Sequence, residues 1–598
     1  MRRHWQTNSS RAFAKPHLAW LVLSFFCVLV VIAVIGTSSS SSVISSPVPY
    51  YISNYRHLKE QTNTDYLYLT TFSLKTHNEV GFCGRERENF VPCYNLSANV
   101  LSGFKDGEEY HRHCEIQKQE NNCLVRPPKD YKIPLRWPVG RDVIWKGNVK
   151  ITQGQFLSSG TMTKRLMLLE ENQIAFHSDG GDGVKDYSRE IAEMIGLGSE
   201  FEFLQFGVRD VLDIECGFGS FGAYLVSLNL NAVCIAAHEG AGSQVQLALE
   251  RGLPAIIGSF KSRQLPFPSL SFDMVHCAEC GVAWEDNNGL FLFEADRLLR
   301  PGGYFVLKSP IKSPTKSNRN AALSIEPFSD ILCWNLVAQQ DDTFIWQKTV
   351  DSSCYRSRSG THVCNEKEET TSYYRRLSSC INGGSSSRWI SIQNRSNGGE
   401  MATYASGIQA DLINEDSRVW VTSLRNYWSL LTPLIFSDHP KRPGVEDPLP
   451  PFNMIRNVID MNAGYGGLNA AFWAENQPVW VMNVVPVGNR DTLQIIVDRG
   501  YSGLWHDWCE PFPTYPRTYD LIHANALLSS LSCSMMDLFL EMDRILRPEG
   551  WAIFSDTLEV LDTARTHATR LHWDARLIDL ENGSDQRLLV CQKPFLRK

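Results

Sequence analysis

The sequence lacks an excess of positive charge. Its 58 Lys and Arg stand against 65 Asp and Glu, a net charge of −7, so charge gives no reason to expect a nucleic-acid partner. It also lacks a second C-x-x-C to partner Cys277-Ala-Glu-Cys280; without that second ligand pair zinc is not expected, and no metal site is predicted. A redox role for the same pair is weak, because Cys277 ends what reads as a buried strand. No Ser-His or Cys-His pair stands out as a nucleophilic device. Charge is missing altogether from Leu18 to Gly36, and the next charged residue is Arg56.

That uncharged run is apolar and nineteen residues long. At 1.5 Å per residue it spans a hydrocarbon core of about 30 Å. The tail before it, 1–17, carries Arg2, Arg3, Arg11 and Lys15, which places the N-terminus in the cytosol and the rest of the chain in a lumen. A cleaved signal peptide is the alternative, but the run is longer than a usual signal core and no clear A-x-A site follows it. The expected order is a cytosolic tail (1–17), a signal anchor (18–36), a Ser-rich luminal stem (37–80) and a cysteine-containing region (81–180). Fifteen of the sixteen cysteines lie beyond the stem. Cys83, Cys93, Cys114 and Cys123 form one even group, and Cys333, Cys354, Cys364 and Cys380 another; each group allows three pairings. Asn95, Asn394 and Asn582 begin N-x-S sequons, open to glycosylation in a lumen.

The remainder is organised by an internal repeat. Val211–Gly222 reads V-L-D-I-E-C-G-F-G-S-F-G, a strand end followed by a glycine loop and a helix start, and Asn457–Leu468 repeats its D-x-x-x-G-x-G spacing. Sixty residues after Asp213 comes Asp273 in S-F-D-M-V-H; sixty after Asp460 comes Asp520 in T-Y-D-L-I-H. Twenty-eight residues further stand Pro301 in D-R-L-L-R-P-G-G and Pro548 in D-R-I-L-R-P-E-G. Two copies of one domain account for this agreement, the first at 181–350 and the second at 448–598, separated by a cysteine-containing bridge at 351–447.

Within the first copy, strands at Ala232–Ala237, Ala255–Gly258, Phe272–His276 and Tyr304–Leu307 alternate with helices, which implies a parallel α/β sheet. The glycine loop alone also fits a dinucleotide-binding oxidoreductase. A terminal hairpin at Trp334–Gln339 and Thr343–Lys348 departs from that fold and resembles the class I S-adenosylmethionine-dependent methyltransferase fold. The expectation is therefore two tandem Rossmann-type methyltransferase-like domains behind a membrane anchor. By that resemblance Asp213 and the loop glycines Gly217 and Gly219 hold the methionine part of S-adenosylmethionine, and Glu239 holds the ribose. Asp273 is a further cofactor-side candidate.

Longer motifs narrow the resemblance. Glu239–Ala255 (E-G-A-G-S-Q-V-Q-L-A-L-E-R-G-L-P-A), Asp296–Phe305, Arg456–Gly467, Val479–Pro486 and His506–Ala524 (H-D-W-C-E-P-F-P-T-Y-P-R-T-Y-D-L-I-H-A) resemble the plant Golgi methyltransferase family that includes the Quasimodo-type pectin methyltransferases. The likeness runs from about Gly81 onward. It implies a single-pass type II Golgi membrane protein whose luminal part transfers methyl groups to the C6 carboxylates of homogalacturonan, an acidic polysaccharide. The alternative is a non-catalytic Golgi scaffold for a pectin glycosyltransferase. That family usually has glycine where Glu215 stands, so Glu215 either binds the cofactor's amine or weakens its hold. Copy two has no acid at Asn483–Pro486, the counterpart of Glu239, and its Asp507 falls opposite Ser259, a position suited to the adenine amino group. Copy one is therefore expected to be the active one, with copy two completing the substrate groove. His276 is a candidate to hold the acceptor carboxylate, although its repetition as His523 equally suits a packed histidine. Lys308, followed by Lys312, Lys316 and Arg319, is a candidate basic groove for the polyanion, or else an ordinary solvated loop.

Overall fold

The computed structural model describes residues 79–89, 91, 123–132, 141–151, 166–169, 173–176, 183–239, 243–259, 263–309, 319–351, 353–357, 364, 375–381, 410–431, 455–580 and 585–595. The expected anchor, nearly all of the stem, the three sequons, Cys93, Cys114, Lys312 and Lys316 lie outside these residues. Among the described residues no helix is long and apolar enough to cross a membrane.

Among the described residues, β1 (Val143–Trp145), β2 (Leu166–Leu169) and β3 (Gln173–Phe176) form a small antiparallel sheet ahead of the repeats. Helix α1 (Gly183–Met194) leads into the first repeat. There β4 (Asp210–Ile214), α2 (Ser220–Ser227), β5 (Asn231–Ala236), α3 (Gln244–Glu250), β6 (Ala255–Ile257), β7 (Phe272–Ala278), α4 (Asp286–Leu298) and β8 (Leu299–Lys308) alternate, and α5 (Arg319–Ile331), β9 (Trp334–Gln340) and β10 (Thr343–Lys348) close it. The sheet order is β6-β5-β4-β7-β8-β10-β9. Neighbouring strands from β6 to β8 are parallel, and the hairpin β9–β10 runs antiparallel. Every residue of β4 and β7 is buried, as expected of central parallel strands covered by helices on both faces.

The second repeat comprises β11 (Asn457–Asp460), α7 (Gly467–Ala474), β12 (Trp480–Pro486), α8 (Leu493–Asp498), β13 (Gly503–His506), β14 (Tyr519–Asn525), α9 (Met535–Ile545), β15 (Leu546–Thr557), α10 (Leu558–Arg570), β16 (Asp574–Asp579) and β17 (Gln586–Gln592). Its sheet, β13-β12-β11-β14-β15-β17-β16, has the same order. It also takes in α6 (Ala410–Leu431), inside the stretch read from sequence as a bridge. Leu424, Tyr427, Trp428 and Leu431 of α6 share a buried cluster with Val458, Leu468 and Phe472, so α6 is to the second repeat what α1 is to the first.

The repeats pack through reciprocal contacts. Arg209 and Arg456 each lie four residues before a glycine-loop aspartate. Arg209 donates to the carbonyls of Val497 (3.2 Å) and Asp498 (3.0 Å) in repeat two, while Arg456 donates to the Glu250 carbonyl in repeat one. Arg300 ion-pairs with Asp498 across the interface at 3.3 Å, and its counterpart Arg547 pairs with Glu250 at 2.9 Å. The edge strands answer one another too: Ile257 N–H donates to the Pro513 carbonyl at 2.8 Å, and Trp505 N–H to the Pro266 carbonyl at 3.0 Å. Gly252 (φ +77°) and Gly500 (φ +84°) leave room for this crossing, since a Cβ at either would meet Arg456 or Arg209. Contact i–j matched by j–i is the mark of an isologous, two-fold interface, and here it lies within one chain. It also covers the two strand edges that would otherwise be open to foreign pairing.

Candidate active site

The loop after β4 has two left-handed glycines, Gly217 (φ +61°) and Gly219 (φ +72°), a conformation glycine adopts without a Cβ penalty. A Cβ at Gly219 would stand 2.9 Å from Leu253 Cδ1. Arg251 braces the turn from beneath: its Nη1 donates to the Phe218 carbonyl at 2.7 Å and to Ser220 Oγ at 3.1 Å, and its guanidinium lies 4.1 Å over the Phe176 ring. The small N-terminal sheet thus supports the loop through Phe176 and Phe218. A disulfide from Cys216 to Cys234 ties the loop to β5.

Glu215 adopts φ +52°, a region that a non-glycine residue seldom takes. Its own carboxylate holds it there. Ala237 N–H donates to Oε1 at 3.1 Å, and Gln244 Nε2 donates to Oε2 at 2.8 Å. The same Gln244 amide reaches Glu239 Oε1 at 3.2 Å, and its carbonyl oxygen accepts from Gly217 N–H at 2.7 Å. Gln244 therefore links the glycine loop to both acids. Ser243 sets it in place as the N-cap of α3, accepting from Gln246 N–H at 3.3 Å. Ser259 follows β6 at the same carboxyl edge of the sheet and is buried. In repeat two Asn462 replaces Glu215 and bonds the Asn525 carbonyl at 2.8 Å.

Asp213 and His276 face inward. His276 Nδ1 lies 2.8 Å from Asp213 Oδ1, and its Nε2 lies 2.9 Å from the Tyr187 hydroxyl of α1. Burial pushes the Tyr187 hydroxyl well above its usual pKa, so it keeps its proton and can donate it to Nε2, while Nδ1 turns to Asp213. His276 is 1 % exposed, both its ring nitrogens are engaged, and the Phe221 ring packs against it at 4.2 Å. The expected grip of His276 on an acceptor carboxylate is therefore corrected to a packing role. Repeat two makes the point independently, with Asp460, His523 and Tyr427 at 2.9 and 3.4 Å in the same arrangement.

Asp273 also needs correction. It stands at the amino end of β7, on the opposite edge from the glycine loop. Its Oδ2 accepts from the backbone N–H of Arg209 (3.1 Å) and Asp210 (3.0 Å), and Arg300 pairs with it at 3.2 Å. It anchors strands and does not face the cofactor edge. Lys308 does reach the carboxyl edge at the end of β8. Its Nζ sits 4.8 Å over the Tyr187 ring and 3.3 Å from Asp342, with the side chain 19 % exposed. Of the remaining groove residues, Arg319 begins α5.

Sequence reasoning missed Gln244, Tyr187 and the Cys216–Cys234 pair. A signal for Gln244 was present: a serine cap sets the following residue on the first turn of a helix facing the preceding loop. The two cysteines bracket the glycine loop and β5, so neither fell within a cysteine-dense group. Within the other groups the structure pairs Cys83 with Cys123, Cys333 with Cys354, and Cys364 with Cys380. Cys277 and Cys280 pair with each other, and Cys509 with Cys533.

The edge of repeat one suits S-adenosylmethionine. A glycine turn admits close backbone approach, and Glu239 offers an acceptor to a ribose diol. Glu215 adds a second acid, which complements the positive amine and sulfonium. Comparison with known proteins agrees. Residues 89–593 match the family described as "Putative S-adenosyl-L-methionine-dependent methyltransferase". The chain is 58 % identical over 616 residues to "Probable methyltransferase PMT5" of Arabidopsis thaliana, covering 100 % of both. It is 49 % identical over 581 residues to "Probable pectin methyltransferase QUA2" of the same plant, covering 93 % of this chain and 84 % of the relative. Cofactor edge, repeated fold and near-complete similarity lead to one conclusion: the chain belongs to this family of S-adenosyl-L-methionine-dependent methyltransferases.

Proposed function

We propose that the protein methyl-esterifies galacturonate carboxylates of homogalacturonan in the Golgi lumen, using the cofactor edge of repeat one, from behind a single N-terminal anchor. The acceptor class rests on one observation, the 49 % identity to a relative named as a pectin methyltransferase. Six disulfides among the described residues support an oxidising compartment.

Bound S-adenosylmethionine supplies an electrophilic methyl group. The protein's own tasks are then to hold, align and dry the reactants. Glu239 and the Gly217–Gly219 turn hold the ribose and methionine ends, while Glu215 faces the cofactor's positive charge. Ser259 lies at the adenine end. A uronate, like a free carboxylate of pKa about 3.9, is ionised without help from a base, so no residue need remove a proton. Lys308 offers the acceptor carboxylate a positive partner at the edge where the methyl is delivered. A glycosyltransferase that makes the polymer fits as a neighbour of such an enzyme.

Methyl transfer from radiolabelled S-adenosylmethionine to a panel of uronic-acid polymers tests this reading. Esterification of homogalacturonan is the expected result; labelling only of a different acceptor would overturn it. Lys308→Ala is expected to raise the KM for the polymer several-fold while leaving S-adenosylhomocysteine affinity unchanged. Because the Debye length is about 8 Å at physiological salt, the difference from the unaltered enzyme should shrink as salt rises. Equal acceptor kinetics at low salt would remove Lys308 from the site.

A further inference from the structure

The interface contacts described above come in reciprocal pairs; one at the cofactor edge of repeat one does not. Tyr515 sits in the P-T-Y turn of repeat two, and the matching turn of repeat one, Pro266–Pro268, carries proline at the equivalent position. Tyr515 crosses the interface and clasps the backbone of Glu239. Glu239 N–H donates to the Tyr515 hydroxyl at 2.9 Å, and that hydroxyl donates to the Glu239 carbonyl at 2.9 Å. Its ring stacks on His238 at 5.4 Å with 12° between planes. Tyr515 is fully buried.

The clasp is rigidly mounted. Arg544 Nη1 donates to the Thr514 carbonyl at 2.6 Å, Thr518 Oγ1 donates to the Tyr515 carbonyl at 2.7 Å, and the Pro513 carbonyl takes the Ile257 N–H from the edge of repeat one. On the other side, Glu239 lies between β5 and α3 and shares Gln244 with Glu215. A loop that must present a carboxylate to a ligand is thus fixed at both ends, by Gln244 within the repeat and by Tyr515 from the other repeat. Side chains held by a supporting shell bind with less ordering cost than mobile ones.

We propose that Tyr515 is a positioning residue for S-adenosylmethionine, supplied across the interface, so that repeat two, without an acid matching Glu239, completes the cofactor site of repeat one. This rests on the reading that repeat one holds the cofactor. In repeat two the same post is not needed, because the place of Glu239 carries no acid, and its would-be clasp in repeat one is a proline.

The test is S-adenosylhomocysteine binding by calorimetry to the whole chain, comparing the unaltered protein, Tyr515→Phe and Glu239→Gln. Tyr515→Phe keeps the stacked ring and removes both hydrogen bonds. It is expected to weaken binding about tenfold, to raise the KM for S-adenosylmethionine with kcat within about twofold, and to leave the unfolding temperature within a few degrees. Glu239→Gln should weaken binding as well. If Glu239→Gln binds normally, repeat one is not the cofactor repeat and the proposal falls with it. If Glu239→Gln weakens binding and Tyr515→Phe does not, the cofactor reading stands and the clasp is refuted. Hydrogen exchange on the unaltered protein gives a second readout that does not depend on a variant folding. Adding S-adenosylhomocysteine should slow exchange in the peptides around Glu239 and around Tyr515 together, and protection confined to the first would also refute the clasp.

Discussion

Replacing Arg300 with methionine is expected to destabilise the protein by about 3–5 kcal/mol, the range for removing one partner from a buried ionic cluster. Arg300 Nη1 lies 2.9 Å from Asp210 and 3.2 Å from Asp273, its Nη2 lies 3.3 Å from Asp498, and its Nε donates to the Leu270 carbonyl at 2.9 Å. Burial lowers the guanidinium pKa, but the three carboxylates outweigh it and hold the group more firmly protonated than usual. Removing it leaves those carboxylates buried with their shared cation gone. Because Asp498 belongs to the other repeat, the loss should appear as a lower urea midpoint for the whole chain in one transition, with no separate step for repeat one. Arg547→Met should behave alike, since Arg547 lies 2.9 Å from Glu250 and 3.3 Å from Asp520. A change below about 1 kcal/mol in both variants would show that the reciprocal pairs contribute little net energy, as exposed pairs do.

Gly219→Val is expected to reduce S-adenosylhomocysteine affinity by about a hundredfold or more, whereas Gly466→Val should leave it near that of the unaltered protein. The two glycines are structural counterparts, at φ +72° and +77°. A branched residue forced into the left-handed region costs on the order of 1–3 kcal/mol at either site, so the backbone penalty is similar. The added Cβ meets Leu253 at 2.9 Å in the first case and Tyr501 at 3.3 Å in the second. What differs is what the loop serves. Two carboxylates, Glu215 and Glu239, flank the first turn, and none occupies the matching places of the second. Calorimetric titration of both variants decides the matter; equal loss in both would assign the cofactor to both repeats, and loss only in Gly466→Val would reverse the assignment.

Much of the fold could be read from the chain. The repeat spacing, the alternation of strands and helices and the closing hairpin all reappear in the two sheets, because buried parallel strands between glycine turns leave a strong local pattern. Site assignment was less legible, for reasons of geometry. Asp273 and His276 stand three residues apart on one strand, roughly 10 Å at strand rise. Sequence proximity suggested one site, but only His276 is level with Asp213. Spacing also could not show that His276 points under the edge toward Tyr187. Glu215 broke a local rule, and the relief of that strain by Ala237 and Gln244 appears only when the loop is closed. The contacts of Arg209, Arg300 and Tyr515 join residues 198 to 289 positions apart, beyond the reach of any pattern along the chain.

The reciprocal interface also bears on how such a protein can change over generations. In a dimer of identical chains every substitution is made twice, once on each side of the axis, so a residue that helps one half is imposed on the other. Joining the halves in one chain removes that constraint while keeping the axis. The interface arginines remain paired on both sides, yet Tyr515 faces Glu239 where the opposite turn has Pro268. One half is free to specialise in grip and the other in support, and each can lose what its partner retains.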